Sequence, residues 1–404
     1  MFKKITSALF IIGFFSLILV RLISTDFLGG KVSQDEQRKL AAMPSIVDKD
    51  GINREFTSQF ESWICDNLGG RNDAVVLDER VLYKYFHSTP SRSNYKLGPG
   101  EVYNYATASI IKSYQHLDLK SEDSLKTIAK AYQYVYDYVK PQGTQMYYFQ
   151  CWDKQSIYPE YFPDTIIQHG DISKTDQIVD TLTKRTDICV VSPKQALIDY
   201  KSEYPTYSKW GDPTHWTQRG AYIGYLELIN AINANNNNKY KVLGEEDYDI
   251  TVEDDGRVLY STVKKVDMLE HFNIKEPKAK LSDEEPKWLS TWAKNSRRIY
   301  YNDEVDNDDT LLIMGDSYFD GFLYDDLAES FHKVVQVWGT YSNNIKPVID
   351  EYKPNIIIIE NAERADRTSN MVKGAKKLKK ALKDDSISFE DNVDDSDEKE
   401  NIYN

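Results

Sequence analysis

The segment LLIMGDSYFDGF places Asp316 and Ser317 directly after an apolar run, Leu311 to Met314, with Gly315 at the break. A buried strand that ends this way leaves its next side chains at the rim of a sheet, and glycine permits the tight turn. Backbone N–H groups of the turn would face the oxyanion formed when a serine attacks a carbonyl. Serine is also a favoured helix N-cap, so the turn alone is equally consistent with a structural role. A serine hydroxyl becomes a nucleophile when a base takes its proton, usually a histidine oriented by a carboxylate. The segment WGDPTHWTQRGAY, Trp210 to Tyr222, holds such a pair, Asp212 standing three residues before His215 on a proline-containing turn. At that spacing the carboxylate reaches Nδ1 of its own turn and leaves Nε2 for a serine from another strand. The alternative is a helix start capped by Asp212 and Thr214, with His215 packed on Trp216. His87, His116, His169, His271 and His332 have no such setting.

The elements that would bring these groups together follow from hydrophobic period. Helices are predicted around Phe56–Ile64 and Val75–Leu82, separated by Gly69-Gly70, and again over Asp123 to Val139, Lys174 to Arg185 and Ala221 to Asn235. DEQRKLAAMPSI reads as a short polar helix or stalk stopped by Pro44. Val102 onward, TQMYYFQCW, TDICVVSP, TLLIMGDS, KVVQVWG and KPNIIIIENAER read as strands. Continuous apolar strands alternating with helices predict an α/β fold, a doubly wound parallel sheet with helices on both faces and functional groups at the strands' carboxyl ends. Residues from about 240 to 301 carry short β-like pieces and many charges, the pattern of a small β-containing insertion.

Composition narrows the function. A net charge of −14 over 404 residues argues against nucleic acid as a partner, because phosphate binding needs a basic footprint. Part of that acidity lies in Asp384 to Glu400, which reads as a solvated tail. Cys65, Cys151 and Cys189 are widely spaced and odd in number, and the histidines lack metal-ligand spacing, so neither a disulfide framework nor a metal or other cofactor is expected. At the N-terminus, Lys3-Lys4 precede an apolar stretch from Ile5 to Ile23 interrupted by Arg21. As a helix it would be ~28 Å long, about the hydrocarbon thickness of a bilayer. No small-residue cleavage pattern follows it, so an uncleaved single-pass anchor is expected, with the rest of the chain extracytoplasmic.

GDS at a strand end, joined to an Asp-x-x-His pair, resembles the SGNH (GDSL-type) hydrolases. The Asp-His segment precedes the serine, and DEQRKLAAMP, FESWICDNLGGRNDAV, THWTQRGA, VLYST, DML, LLIMGDSY and KPNIIIIENAER follow in order. In this the chain is similar to the permuted branch of alginate O-acetyltransferase-like and DHHW-type membrane-anchored proteins. The resemblance implies Ser317 as nucleophile, His215 as general base and acid, and Asp212 as its orienting carboxylate. It implies oxyanion donors in the backbones of Ser317 and Gly339. Asp212-Pro-Thr-His215-Trp departs from the D-x-H-W of many branch members, and Glu360-Asn361-Ala362-Glu363-Arg364 replaces the G-x-N-D block of ordinary members. Asn361 and Arg364 are therefore candidate oxyanion or substrate-binding residues, Arg364 equally a salt-bridge partner of Glu360 or Glu363. Tyr318, beside the nucleophile, is the candidate sugar-stacking aromatic.

The expected organisation is an anchor at 1–23, a stalk and leading helices at 24–74, an SGNH-like catalytic domain at 75–370, and a charged tail at 371–404. In the leading segment, Glu61, Trp63, Asp66, Asn67 and Arg71 read as a wall or helix cap without chemistry of their own. The function implied is O-acetyl transfer to a surface or exported polysaccharide through an acyl-serine, with a multi-pass membrane partner presenting the acetyl group. A carbohydrate O-acetylesterase and a non-catalytic glycan-binding or scaffold subunit are the alternatives.

Overall fold

The computed structural model describes residues 11–13, 15–16, 23, 25, 29–33, 38–48, 51–89, 94–259, 263–284, 299–319, 323–384, 386 and 389. They fall into two units, residues 1–93 with 258–263 and 401–404, and residues 94–257 with 264–400. The expected anchor lies largely outside the described residues, among which no helix is long and apolar enough to cross a membrane. The charged run after Asp384 lies outside them as well, apart from residues 386 and 389.

In the first unit, helices α1 (Phe56–Asn67) and α2 (Arg71–Phe86) flank Gly70, which sits at φ 71° as the N-cap of α2. Asp66 and Asn67 are spent on the backbone of Ala41: Asp66 accepts its N–H at 2.8 Å and Asn67 donates to its carbonyl at 2.6 Å. The polar segment expected as a helix or stalk is extended where it is described, Arg38–Lys39 pairing with Val32–Ser33.

The second unit begins with a separate hairpin of β1 (Tyr95–Gly98) and β2 (Val102–Tyr105), so the strand expected at Val102 stays outside the main sheet. There follow α3 (Ala108–Tyr114), α4 (Glu122–Val139), β3 (Gln145–Cys151), α5 (Lys154–Ile157), α6 (Lys174–Arg185), β4 (Cys189–Val191), α7 (Lys194–Tyr200) and α8 (Gln218–Ala234). A long hairpin, β5 (Tyr248–Leu259) and β6 (Val263–Ile274), occupies the expected insertion. Next come β7 (Lys280–Leu281), β8 (Ile299–Tyr301), β9 (Thr310–Gly315), α9 (Leu323–Ala328), β10 (Lys333–Trp338), α10 (Ile345–Tyr352), β11 (Ile356–Ala362) and α11 (Thr368–Leu382).

The main sheet has the order β7-β8-β10-β9-β11-β3-β4. Its five strands from β10 to β4 are parallel, and β8 and β7 close one edge antiparallel. Only the last part of the expected insertion thus joins this sheet, while β5 and β6 form a separate two-stranded one. Side chains alternate between two buried cores: Leu311, Ile313, Ile356 and Ile358 meet α8 and α9 on one face. Leu312, Met314, Ile357 and Ile359 meet α4, α10 and α11 on the other. Continuous apolar strands are what a sheet covered on both faces requires.

Helix α11 carries Met371, Val372, Ala375 and Leu378 into that second core. The charged tail expected from residue 371 therefore starts beyond Leu382, because helical spacing gives a lysine-rich segment one apolar stripe. The link from β9 to β10 runs through α9 on one face, and the link from β10 to β11 through α10 on the other. Connections leaving in opposite directions open a crevice at the carboxyl ends of β9 and β10, the usual ligand position in such sheets.

Candidate active site

Ser317 stands at this crevice, two residues past the end of β9. Gly315 is closely approached: a Cβ there would lie 3.1 Å from Tyr324 Oη and 3.4 Å from Glu360 Oε2, a tight fit that those side chains would have to relax. Asp316 shapes the turn, its Oδ1 accepting the Tyr318 N–H at 2.9 Å and its carbonyl the Phe319 N–H at 3.1 Å. The Ser317 N–H takes no part in these turn bonds, and its hydroxyl turns to His215 rather than to a helix end.

The histidine comes from a loop closed at its base by the Tyr207–Trp216 bridge and by Thr217 N–H donating to Thr206 O. Thr217, and neither Asp212 nor Thr214, caps α8. Asp212 divides its oxygens: Oδ1 accepts the backbone N–H of Thr214 at 2.7 Å, while Oδ2 faces His215 Nδ1 at 2.8 Å. A carboxylate can only accept, so the Nδ1 proton points at Asp212 and Nε2 is left as an acceptor. His215 Nε2 lies 2.9 Å from Ser317 Oγ, across a sequence separation of 102 residues. Burial opposes the charge of Asp212, but the hydrogen bond and charge of His215 and the bonds from Thr214 hold its carboxyl well below the usual range. Hairpin β5–β6 braces the loop through Asp267, which accepts the Ser208 hydroxyl and the Trp210 N–H.

A buried set of charges underlies the serine turn. Arg367 Nη1 pairs with Asp316 Oδ2 at 2.8 Å, and Arg364 Nη1 with Asp153 Oδ1 at 2.7 Å. Glu360 accepts the Asp316 N–H at 2.8 Å, and Glu363 accepts the Asp153 N–H at 2.8 Å and the Ser156 hydroxyl at 2.7 Å. Burial pushes Glu360 well above the ordinary range, reinforced by the charge of Asp316. Burial, then Asp153, pushes Glu363 up to about 8. Burial would also raise Asp316, but Arg367 and Arg364 outweigh it and keep the carboxyl low. The two guanidinium groups therefore pair with Asp316 and Asp153, while the two glutamates, both raised by burial, accept backbone and hydroxyl hydrogen bonds.

Sequence reasoning brought Ser317, His215 and Asp212 together, and the structure joins them by hydrogen bonds. Gly339 opens the turn after β10, one residue past Trp338, the register partner of Gly315, with the Arg367 side chain packed against it. The side chains of the other three candidates are buried and bonded within the protein. Tyr318 is fully buried, its hydroxyl donating to Asp153 Oδ1 at 2.6 Å, so it has no face to offer a sugar. Asn361 is buried, bonded to Gln150 Oε1 and accepting the Arg367 N–H. Arg364 pairs with neither Glu360 nor Glu363; it reaches Asp153 and the carbonyl of Thr214. Residues not anticipated are Asp153, Glu363, Arg367 and Trp338. Trp338 is partly exposed at the end of β10 beside Gly315 and is the aromatic at the crevice rim. Lys154, buried, donates to Tyr103 O at 2.8 Å, and burial lowers its ammonium to about 7 against the charges of Asp267 and Asp212. Among the described residues no cluster of His, Cys, Asp and Glu could hold a metal ion.

No protein-family model and no curated protein matches this sequence. Solved structures do. PatB1 of Bacillus cereus, in a structure with a sulfonyl adduct, aligns with a TM-score of 0.51 at 14% identity, over 69% of this chain and 96% of that one. A DHHW family protein from Eubacterium siraeum aligns at 13% identity and a TM-score of 0.43, over 64% and 90% of the two chains. The O-acetyltransferase domain of Pseudomonas putida AlgJ aligns at 13% identity and 0.42, over 69% and 92%. The likeness to PatB1 is one of fold.

Proposed function

We propose that this chain, sharing its fold with PatB1, is a serine-dependent acyltransferase that O-acetylates a cell-surface or exported polysaccharide. The observation that carries the reading is the relay of Asp212, His215 and Ser317, with 2.8 Å and 2.9 Å between successive partners. As Ser317 Oγ attacks the acetyl carbonyl of a donor, its proton passes to His215 Nε2, and Asp212 stabilises the imidazolium that forms. Negative charge gathers on the carbonyl oxygen, where the backbone N–H groups of Ser317 and Gly339 are the proposed donors. Collapse breaks the bond to the donor oxygen, which takes the proton from His215, and leaves acetyl-Ser317. A sugar hydroxyl then gives its proton to His215 and attacks the acyl carbon; His215 returns that proton to the departing Ser317 Oγ, releasing the acetylated sugar and free serine. Trp338, and not Tyr318, is the proposed platform for that sugar.

In this reading residues 1–23 anchor the chain with its domain outside the cytoplasm, and a multi-pass membrane protein hands over the acetyl group. The test uses the full chain in detergent, an acetyl ester as donor and an oligosaccharide as acceptor. Wild-type protein is expected to gain one acetyl group by intact mass, to acetylate the oligosaccharide, and to be labelled on Ser317 by a sulfonyl fluoride. Ser317→Ala is expected to lose all three. A variant that keeps its transfer activity overturns the assignment; acetyl release to water with no acceptor product turns it to an esterase, and an unlabelled, inactive wild type to a binding subunit.

A further inference from the structure

Nothing in the triad itself explains how a loop from one part of the chain is held at hydrogen-bond distance from a turn made by another. Both chain neighbours of His215 are tied to the serine side of the crevice. On one side Trp216 donates its indole N–H to the carbonyl of Tyr318, the residue after the nucleophile, at 3.1 Å. On the other, Arg364 donates from Nη1 to the carbonyl of Thr214 at 2.6 Å. The same Nη1 lies 2.7 Å from Asp153 Oδ1, which also accepts the hydroxyl of Tyr318 at 2.6 Å. The guanidinium lies 4.5 Å from the centre of the Tyr318 ring, and that ring meets the His215 imidazole edge-on at 5.2 Å. Its side chain is 7% exposed.

We infer that Arg364 is a positioning residue: its guanidinium, fixed by Asp153 beneath Tyr318, grips the Thr214 carbonyl and sets the His215 imidazole against Ser317. The inference rests on the triad reading and adds a specific cause for its geometry. It differs in consequence from a substrate contact. A guanidinium that binds the acyl oxygen or a sugar acid would act on substrate affinity. One that holds the histidine loop acts on every reaction of the serine, including reactions with reagents that carry no sugar. A misplacement of about 1 Å at a catalytic group costs on the order of a hundredfold in rate.

The experiment compares full-length wild type with Arg364→Lys and Arg364→Ala in detergent, well below their melting temperatures. Three quantities are measured: the second-order rate of Ser317 labelling by a small sulfonyl fluoride, kcat for acetyl transfer, and KM for the oligosaccharide. Arg364→Lys keeps a cation opposite Asp153, and so preserves the fold, but its ammonium sits one bond short of the Nη1 position from which both acceptors are held. For it, labelling rate and kcat are expected to fall together, on the order of a hundredfold, with KM within about twofold. In Arg364→Ala, guanidinium ion at a non-denaturing concentration is expected to restore part of the labelling rate, which a general loss of stability would not allow. A raised KM with kcat and labelling at wild-type levels makes Arg364 a substrate contact and overturns the inference, as does a folded Lys variant with every rate unchanged. Wild-type protein that is never labelled on Ser317 overturns the triad reading, and the positioning role with it.

Discussion

Two sets of carboxyl groups flank Ser317, and the fold handles them in opposite ways. Asp212, on the loop side, is partly exposed, makes its hydrogen bonds within its own turn, and is held ionised against an imidazole. Beneath the serine turn, Asp316, Glu360, Asp153 and Glu363 are all at most 5% exposed and draw their partners from distant segments. There two guanidiniums pair with the two aspartates, and burial raises the two glutamates above the ordinary carboxyl range. The loop set is arranged for chemistry and the buried set for holding the turn. An aspartate in each set should therefore fail in a different way when it is changed to asparagine.

Asp212→Asn is expected to cause the largest loss. The amide removes the charge that stabilises the imidazolium and admits the wrong tautomer, at a cost of roughly 10³- to 10⁴-fold in kcat. The melting temperature should stay near that of wild type, because the site is partly solvated. Turnover of an acetyl ester alongside thermal melts checks both, and a folded variant with wild-type kcat breaks the comparison.

Asp316→Asn tests the other side. The Oδ1 contact to the Tyr318 N–H can survive, but Arg367 loses its charge partner while still buried. Removing one partner of a buried pair costs about 3–5 kcal/mol. A large fall in denaturant midpoint is expected, measured by urea titration, whereas a stability loss no greater than that of Asp212→Asn would erase the distinction.

The loop set was legible in the sequence and the buried set was not, for a geometric reason. Asp212 and His215 sit on one turn, so their spacing alone states that they can meet. The GDS turn is legible because a strand's apolar run and a glycine mark its end. Asp153 and Glu363 meet only because β3 and β11 are parallel neighbours, with Ala362 in register with Cys151. No local pattern encodes that pairing. Direction was also hidden. Arg364 was read against its nearest acids, yet Glu363 turns to Asp153 N–H and Ser156 while Arg364 reaches across to Thr214. Residues adjacent on a tight turn point apart. Tyr318 was read as an exposed aromatic because adjacency to a nucleophile says nothing about which side of the turn is buried. The first unit runs to residue 93, past the end of α2, whereas the expected boundary at 74 falls inside that helix, and composition marks neither point.

A further carboxyl, Asp326 on α9, extends the comparison away from the crevice. It is 6% exposed and bonded to the Tyr248 hydroxyl at 2.9 Å. Burial raises it to about 7; the Tyr248 bond opposes this, and the weaker charge effects of Asp325 and Glu329 reinforce it. A carboxyl raised in the folded state binds its proton more tightly there than in the unfolded chain. Its neutral form is therefore favourable to folding at acid pH, and that advantage is lost as pH rises from about 4 to about 7. Asp326→Asn keeps an acceptor for Tyr248 and removes the titration. The variant should melt higher than wild type at pH 8, and the gap should close toward pH 4.5. A gap that stays constant over that range means Asp326 is not held neutral by the fold.

The smallest effect is expected at Glu360, which gives the sharpest contrast with Asp316, since the two lie in direct contact. Glu360 accepts the Asp316 N–H at 2.8 Å, and Arg367 Nη1 is 3.9 Å from the same oxygen. If the glutamate is neutral, glutamine reproduces its acceptor and its volume and changes no charge. Glu360→Gln should then shift stability by less than about 1 kcal/mol at neutral pH, within the range of a single replaced hydrogen bond. If it were ionised, the same substitution would remove a buried negative charge beside two arginines and resemble Asp316→Asn in the urea titration. Equal losses in the two variants would mean that both carboxyls are charged, and the division into paired aspartates and neutral glutamates would have to be given up.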